Sequence, residues 1–405
     1  MNQDNREYQQ RRKELMAQME PNSIALIAAA PARTRSNDTE YYYRQNSDFY
    51  YLTGFDEQDA LLALIPGRKQ GEVVLFCQEK DKVKELWTGV LMGPEAALSA
   101  LSLDDAFPIA DIDDILPGLI EGRERVYYSM GHDSRFDERV MDWVKVIRAK
   151  AKLGAQPPGE FLVLDHLLHE LRLIKSKHEI ELMQRAAEIS AEGHRQAMAV
   201  CAPGVHEFTL EAELNYAFTR GGSRAPAYNS IVAAGENACI LHYDRNDAEV
   251  KDGDLILIDA GCEYKYYASD ITRTFPANGR FTATQRADYE LVLAAQAAAE
   301  ATLKAGVSYD AFEDAAKQVF RRAGRIDDFI HGLGHYVGLD VHDPFDRSRP
   351  IPAGAVITIE PGLYTQSANQ GIRIEDQYLV TAAGSERMSA GIPRSIAEIE
   401  AAMRG

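Results

Sequence analysis

The sequence has few cysteines, a deficit of basic residues and no long apolar run. Its four cysteines are scattered over 405 residues without a CxxC pair, which argues against a disulfide framework and a zinc–thiolate site. The 62 acidic residues outnumber the 44 basic ones, and the net charge of −18 repels nucleic acid and anionic membranes. No stretch of about 18 apolar residues and no signal-peptide core occurs. We therefore expect a cytoplasmic protein that binds neither nucleic acid nor membranes.

The length and composition indicate a folded protein of more than one domain. The chain is 45% hydrophobic and 26% charged, as globular proteins are, and it suffices for two or three domains of about 100–200 residues. In the first part, short apolar runs alternate with helical stretches, which predicts a mixed α/β domain. The predicted strands there are Ser23–Ala29, Ala60–Ile65 and Glu72–Phe76. After a predicted helix at Phe161–Leu173 we place a boundary near 170–175, giving domains 1–172 and 173–405.

The second domain carries helix and strand signals in a repeating order. Its first helix begins with a capping-box pattern, Ser176 and Glu179, and ends before Pro203. Two predicted strand pairs then flank two predicted helices. In chain order these elements are Leu255–Ile258, Tyr266–Phe275, Gln285–Ala305, Tyr309–Ala323, Val356–Ile359 and Ile372–Val380. The order suggests two similar halves, although we find no repeat of residue identities between them.

Four acidic residues end or interrupt apolar runs of this domain. Asp259 ends LILID, Asp270 lies in YASDITRTF, Glu360 ends VITIE and Glu375 interrupts GIRIEDQYLV. A single carboxylate at a strand end is common, but four that converge repel one another unless cations neutralise them. The spacing of Asp259 and Asp270 suits a hairpin whose turn begins near Gly261 and joins the two acids across adjacent strands. These acids therefore predict a metal site.

Histidines supply further candidate ligands, since His331, His335 and His342 lie close together in the sequence. Four carboxylates carry a charge of about −4, which two divalent ions would neutralise and one would not. Oxygen donors with one imidazole favour hard or borderline ions such as Mn²⁺, with Fe²⁺, Co²⁺ and Zn²⁺ as alternatives between which affinity order alone does not choose. A pair of such ions makes a hydroxide from bridging solvent and polarises an electrophile, which is the chemistry of hydrolases.

Motifs distributed over almost the whole chain match one known family. The matching segments are Thr34–Phe55, Glu85–Gly89, Glu236–Tyr243, Asp252–Pro276, His331–Asp343, Ile357–Tyr364 and Gly371–Asp376. These segments resemble the pita-bread metallopeptidases, and most closely the bacterial aminopeptidase P (Xaa-Pro aminopeptidase) group. The resemblance implies an α+β architecture in which a mixed α/β N-terminal domain precedes a pita-bread domain with pseudo-two-fold halves.

The resemblance also implies a dinuclear metal centre. Its ligands would be Asp259, Asp270, His335, Glu360 and Glu375. Asp259 would bind one ion, His335 and Glu360 the other, while Asp270 and Glu375 would bridge both. A hydroxide bridging the two metals would hydrolyse Xaa-Pro bonds and release the N-terminal residue from peptides with proline in second position. Glu360 would carry a proton from this solvent to the imino nitrogen of proline.

Substrate contacts follow from the same resemblance. His242 and His342 would hydrogen-bond the substrate and the tetrahedral intermediate, with simple packing as the alternative. His331 and Arg373 would line the proline-side pocket, although Arg373 could instead only balance the carboxylates. Tyr228 would offer an aromatic face to the substrate or serve its own core.

Trp87 belongs to the other domain, and the resemblance implies that it reaches the active site of a neighbouring subunit in a homodimer or homotetramer. The connection Thr365–Gln370 is shorter than in many relatives, which leaves assembly and peptide length open.

Other functions match parts of this pattern. Prolidase shares the ligands and the fold but accepts only Xaa-Pro dipeptides, and the N-terminal motifs favour aminopeptidase P over it. A metal-free binding protein or a creatinase-like hydrolase on the same scaffold would have lost ligands, whereas the full set is present here. Methionine aminopeptidases have no N-terminal domain of this kind.

Overall fold

The structure, a computed structural model, describes residues 3–344 and 346–404. The chain divides into two compact units between Leu171 and Arg172. In the described residues, no helix has both the length and the apolar character needed to cross a bilayer.

The N-terminal unit is built on a mixed six-stranded sheet. The strands of this unit are β1 (Ser23–Ala28), β2 (Thr34–Ser36), β3 (Thr39–Glu40), β4 (Leu61–Leu64), β5 (Val73–Cys77), β6 (Asp105–Pro108), β7 (Arg125–Tyr128) and β8 (Glu160–Val163). The strand order in the six-stranded sheet is β6-β5-β4-β1-β7-β8, and β2 pairs separately with β3. Its helices are α1 (Gln3–Gln18), α2 (Ser47–Thr53), α3 (Lys82–Thr88), α4 (Gly93–Ala100), α5 (Ile112–Ile120), α6 (Ser134–Ala149) and α7 (Asp165–Leu173). The central strands β1, β4 and β5 are buried along almost their whole length, as apolar runs covered on both faces should be.

The sequence predicts this unit with one error. The apolar runs assigned to β1, β4 and β5 are confirmed as strands. The predicted helix at Phe161–Leu173 is wrong at its start, because Glu160–Val163 pairs in parallel with β7 and the helix begins only at Asp165. A short apolar run has too few residues to separate the helical from the strand period, so the hydrogen bonds offered by β7 decide its conformation.

The C-terminal unit packs helices over several small antiparallel sheets. Its helices are α8 (Lys177–Val200), α9 (Glu207–Arg220), α10 (Ala283–Thr302), α11 (Tyr309–Arg322) and α12 (Ile396–Ala402). Its strands are β9 (Ala225–Pro226), β10 (Ile231–Ala234), β11 (Leu255–Asp259), β12 (Cys262–Tyr264), β13 (Tyr267–Ala268), β14 (Thr272–Pro276), β15 (Val356–Ile359), β16 (Gly362–Thr365), β17 (Gln370–Arg373), β18 (Asp376–Val380) and β19 (Ser385–Arg387). One continuous apolar core joins α8 to α11 with these strands.

Helix starts in this unit follow the predicted signals. The hydroxyl of Ser176 accepts a hydrogen bond from the backbone of Glu179, whose carboxylate accepts one from the backbone of Ser176. This capping box satisfies two amides that would otherwise lack partners at the start of α8. Helices α10 and α11 are confirmed within three residues of their predicted ends.

The two halves of this unit do repeat at the level of residues, so the expectation of no such repeat is wrong. Gly253–Gly261 reads GDLILIDAG and Gly354–Gly362 reads GAVITIEPG, with glycine and isoleucine at the same four positions. The preceding backbone contacts repeat as well: Gly204 and Val205 bond to Val250, as Gly306 and Val307 bond to Ile351. The repeat is too short to stand out in sequence, but it places Asp259 and Glu360 at equivalent strand ends.

Two predicted strands are interrupted, and both breaks lie at acidic residues. Tyr266–Phe275 divides into β13 and β14 around Asp270, and Ile372–Val380 divides into β17 and β18 around Glu375. The hairpin turn lies at Lys265 and Tyr266, whose φ angles of 46° and 71° are left-handed, rather than near Gly261. Leaving the regular ladder lets Asp270 and Glu375 turn away from the sheet and towards one site.

Gly261 has a different role from the turn predicted for it. A Cβ at this position would lie 1.8 Å from the carbonyl oxygen of Ser269, well inside van der Waals contact. Glycine is therefore required because two backbone segments cross closely just beyond Asp259.

Candidate active site

A cavity of about 630 Å³ opens in the C-terminal unit where the acidic strand ends converge. Its lining includes all the predicted metal ligands, Asp259, Asp270, His335, Glu360 and Glu375. Each ligand is supplied by the end of a strand or by the loop after α11, so rigid backbone supports every carboxylate. The structure therefore brings together acids that are more than one hundred residues apart in sequence.

Tyr228 forms hydrogen bonds with both Asp259 and Asp270, and Arg373 forms one with Asp259. The Tyr228 hydroxyl lies 2.6 Å from Oδ1 of Asp259 and 2.6 Å from Oδ1 of Asp270, and it donates its one proton between them. Nη2 of Arg373 donates to Oδ2 of Asp259 at 2.7 Å. Arg373 thus balances a carboxylate, as one reading of the sequence held, while it also lines the cavity.

The tightest cluster of potential metal ligands is Asp270, His335 and Glu375, whose ligand atoms lie within 4.8 Å of one another. Nε2 of His335 is 3.3 Å from Asp270 and 3.6 Å from Glu360. Its Nδ1–H donates to the carbonyl of Tyr336 at 3.1 Å, which orients Nε2 towards the acids. A cation between these atoms would find one imidazole and several carboxylate oxygens already aimed at it.

Glu375 gives the clearest indication that a cation fits here. Its Oε2 accepts a hydrogen bond from the Thr272 hydroxyl at 2.7 Å. Its Oε1 is buried and has no hydrogen-bond partner among the described residues. A buried carboxylate oxygen without a donor costs free energy, and coordination to a divalent ion removes that cost. The donor set therefore fits a hard or borderline metal ion.

Electrostatics support the same conclusion. Burial, with the neighbouring acids, raises the pKa of Asp259 and raises that of Glu375 well above its usual range. Burial likewise raises the pKa of Glu360 to about 7. Burial lowers the pKa of His335, but its hydrogen bond with Asp270 and the charges of Asp270 and Glu360 outweigh this and raise it to about 9. The repulsion among these carboxylates is what a bound cation would relieve.

A chain of hydrogen bonds forms one wall of the cavity. Nη1 of Arg373 donates to the Tyr364 hydroxyl at 2.9 Å, and this hydroxyl lies 2.9 Å from Nε2 of His331. Nδ1 of His331 is 2.8 Å from the carbonyl of Gly332, to which it donates. Burial lowers the pKa of His331 to about 4, so the neutral ring accepts the proton of Tyr364. The chain fixes the ring of His331 against the cavity.

Tyr364 and Thr272 are site residues that the sequence analysis did not identify. Both contact predicted residues directly, Tyr364 through Arg373 and Thr272 through Glu375. Tyr364 lies within the motif ITIEPGLY, so the motif itself was the available signal. No local signal marks Thr272, whose contact with Glu375 depends on an isolated bridge between distant segments.

The remaining predicted residues lie at two different places. His242 and His342 both line the cavity, and the ring of His342 packs edge-on against that of His335 with centroids 4.3 Å apart. Burial and the charge of His335 lower the pKa of His342. Trp87 lies in the N-terminal unit on α3, where its side chain is 85% exposed.

Comparison with known proteins assigns the chain to a family. Residues 181–382 match metallopeptidase family M24, and residues 8–127 match the aminopeptidase P N-terminal domain. The Xaa-Pro aminopeptidase of Escherichia coli is 41% identical, over 98% of this chain and 97% of that protein. The chain belongs to metallopeptidase family M24. The Haemophilus influenzae Xaa-Pro aminopeptidase is 38% identical over 97% of this M24 chain and 96% of its own length.

Solved structures of M24 relatives have the same fold. The aminopeptidase PepP of Pseudomonas aeruginosa matches with a TM-score of 0.96 and 52% identity, over 99% of this chain and 98% of that one. Zinc-substituted E. coli aminopeptidase P in complex with product matches with a TM-score of 0.94 and 40% identity, over 99% and 98%. The predicted α+β fold, with its α/β N-terminal domain and pita-bread domain, is confirmed. The protein is a member of this metallopeptidase family, and Asp270, His335 and Glu375 form a group that could hold a metal ion.

Proposed function

We propose that this M24 protein is an Xaa-Pro aminopeptidase, which releases the N-terminal residue from peptides with proline in second position. The observation that carries the proposal is the cluster of buried Asp270, half-buried His335 and buried Glu375, flanked in one cavity by Asp259 and Glu360. The similarity to Xaa-Pro aminopeptidases along the full length of the chain supports this substrate class.

The proposed cofactor is a pair of divalent ions, with Mn²⁺ as the first choice. Asp259, Asp270, His335, Glu360 and Glu375 would hold them. When bound, the ions supply a hydroxide nucleophile at neutral pH and polarise the scissile carbonyl. The charge of the four carboxylates supports two ions rather than one, and their oxygen-rich donor set supports Mn²⁺.

The protein's own residues orient the substrate and move the proton. Glu360 lies at the cavity beside His335, and it would take a proton from the attacking solvent and deliver it to the imino nitrogen of proline. His242 and His342, which line the same cavity, would donate hydrogen bonds to the substrate carbonyl. This arrangement stabilises the oxyanion that develops during attack.

The proline-side pocket is proposed to include His331, Arg373 and Tyr228. The chain from Arg373 through Tyr364 to His331 holds the imidazole in one orientation, so that its ring can face the rigid pyrrolidine. The Tyr228 hydroxyl is engaged by Asp259 and Asp270, and its ring would supply apolar contact on the substrate side.

A homodimer or homotetramer is proposed from the surface of α3. None of the side chains of α3 is buried, and Leu86, Trp87 and Val90 are 82–85% exposed. Exposed apolar side chains this close together are typical of an interface, and the resemblance to the aminopeptidase P group implies that Trp87 reaches a neighbouring active site there. The four cysteines are free, which supports the proposed cytoplasmic location.

The test compares one dipeptide with one longer peptide. The purified protein is stripped with chelator, resupplied with Mn²⁺ and given Xaa-Pro and Xaa-Pro-Xaa with the same first two residues. Metal-dependent release of the first residue from the longer peptide is expected. Cleavage of the dipeptide alone would make the protein a prolidase, and no metal-dependent cleavage of either peptide would favour a binding protein on this scaffold.

A further inference from the structure

Arg273 is a fully buried arginine that the proposed chemistry does not use. It lies in β14 with 0% of its surface exposed. Its guanidinium donates to four oxygens: the carbonyls of Thr272 at 2.9 Å, Glu375 at 2.7 Å and Pro393 at 3.0 Å, and Oδ1 of Asp376 at 2.6 Å. One side chain therefore joins β14 to the backbone of a metal ligand and to the residue that follows it.

Asp376 is equally buried and is fixed from several sides. It accepts hydrogen bonds from the Ser389 hydroxyl and, at 3.0 Å, from Nε2 of Gln296. The same amide nitrogen lies 3.3 Å from the carbonyl oxygens of Ile359 and Ile374, which immediately precede two of the ligating acids. The carboxylate of Asp376 is thus a rigid anchor for the guanidinium.

The ion pair lies where the two halves of the unit meet. In the first half Ile258 pairs with Arg273, and in the second half Ile359 pairs with Asp376. Ile258 and Ile359 occupy the same position in the nine-residue repeat, so Arg273 and Asp376 are equivalent residues of opposite charge that contact each other. The preceding pair, Thr272 and Glu375, also meets across this junction as an isolated bridge.

From this geometry we propose that Arg273 is a positioning residue, which fixes the backbone of Glu375 against β14 and so sets the distance between Glu375 and Asp270 at the metal site. The inference rests on the metal site of the proposed function. A planar fork with five donors can reach oxygens on three segments at once, whereas the ammonium of lysine cannot. Groups that hold ligands in this way typically change metal affinity by about 10–100-fold when replaced.

The test is titration of Mn²⁺ into the metal-depleted full chain by calorimetry. Arg273→Lys keeps the buried positive charge beside Asp376 but loses the fork, and it is expected to bind Mn²⁺ at least about 10-fold more weakly with an unchanged far-ultraviolet circular dichroism spectrum. Arg387→Lys is the matched control. The Arg387 side chain is 24% exposed and its guanidinium lies 3.9 Å from the same carboxylate, beyond hydrogen-bond distance, so the control should bind Mn²⁺ like the parent.

The outcomes separate this inference from the proposed function. If Arg273→Lys is less stable but binds Mn²⁺ as tightly as the parent, Arg273 is only structural and the inference is overturned. If the parent itself binds no divalent metal, both proposals fail. Should Arg273→Lys not fold, Ser389→Ala removes one anchor of Asp376 without removing a charge. A smaller but measurable loss of Mn²⁺ affinity is then expected, and parental affinity would refute the proposal.

Discussion

Asp343 should be one of the most sensitive positions for the stability of the C-terminal unit. Its carboxylate is 4% exposed and accepts from Nη2 of Arg172 at 2.6 Å and from Nζ of Lys175 at 2.9 Å. Arg172 also pairs with Asp340 at 2.6 Å, so it keeps a counter-charge when Asp343 is replaced. Lys175, which is 5% exposed, would lose its counter-charge and keep neutral acceptors such as the carbonyl of Arg172.

Asp343→Asn is therefore expected to strand a buried ammonium group. Removing one partner of a buried ion pair lowers the free energy of unfolding by about 3–5 kcal/mol. Most of that loss comes here from the buried ammonium group of Lys175. The assay is urea unfolding of the metal-free chain followed by circular dichroism. Asp314→Ala is the control, because Asp314 and Arg321 form an exposed pair whose attraction solvent and salt screen. If Asp343→Asn lowers the free energy of unfolding by no more than the control does, the reasoning is refuted.

The pH dependence gives a second check on Asp343. Burial alone would raise the pKa of Asp343, but Lys175 and Arg172 overcome burial and hold the pKa below its ordinary value. A carboxyl whose folded pKa is depressed contributes stability above its unfolded pKa of about 3.9, and loses it as the pH falls through the folded value. The difference in the free energy of unfolding between the parent and Asp343→Asn should therefore be largest at neutral pH and should shrink in acid.

Three further predictions concern the metal, a histidine and a glycine. Mn²⁺ at about 100 times its dissociation constant should stabilise the fold by about 2.7 kcal/mol, and Glu375→Ala should abolish this shift in a thermal melt. Burial lowers the pKa of His194 to about 4. The free energy of unfolding should therefore fall by about 3 kcal/mol as the pH falls from 6.5 towards 4, because the unfolded chain binds a proton that the folded one does not. A parent and a His194→Gln variant with the same pH profile of stability would contradict this. Gly261→Ala should lower the free energy of unfolding by about 1–3 kcal/mol, because the added methyl group clashes with Ser269. Gly118→Ala is the control in the same urea assay, and it should cause no loss of stability because its added methyl group meets open space.

The sequence predicts the elements whose signals are local and misses those that depend on a partner. The strand Val356–Ile359 and the start of α8 follow from an apolar run and a capping box, which need no distant contact. Glu160–Val163 becomes a strand only because β7 offers a parallel edge. The breaks around Asp270 and Glu375 depend on contacts between the two halves, which no local pattern contains.

The candidate site shows the same division. Acids at the ends of apolar runs could be identified directly, because a carboxylate is unexpected where a strand is buried. Tyr364 gives no such signal, since a tyrosine in a strand is ordinary. Its role emerges only when β16 places its hydroxyl between Arg373 and His331.

The repeat makes two of the acids, Asp259 and Glu360, equivalent but gives them different cationic neighbours. Asp259 and Glu360 are equivalent strand ends, whereas His335 lies opposite Thr358 at the position that Ala233 occupies opposite Leu257. The second half therefore contributes an imidazole next to Glu360 where the first half contributes only a methyl group. Asp259, with a methyl group at that position, pairs instead with Arg373 from the second half. Each strand-end acid thus has one nitrogen-containing side chain beside it, Arg373 or His335. Only the imidazole can lose its proton and become a metal ligand, so the two ions of the proposed centre must differ in their donors.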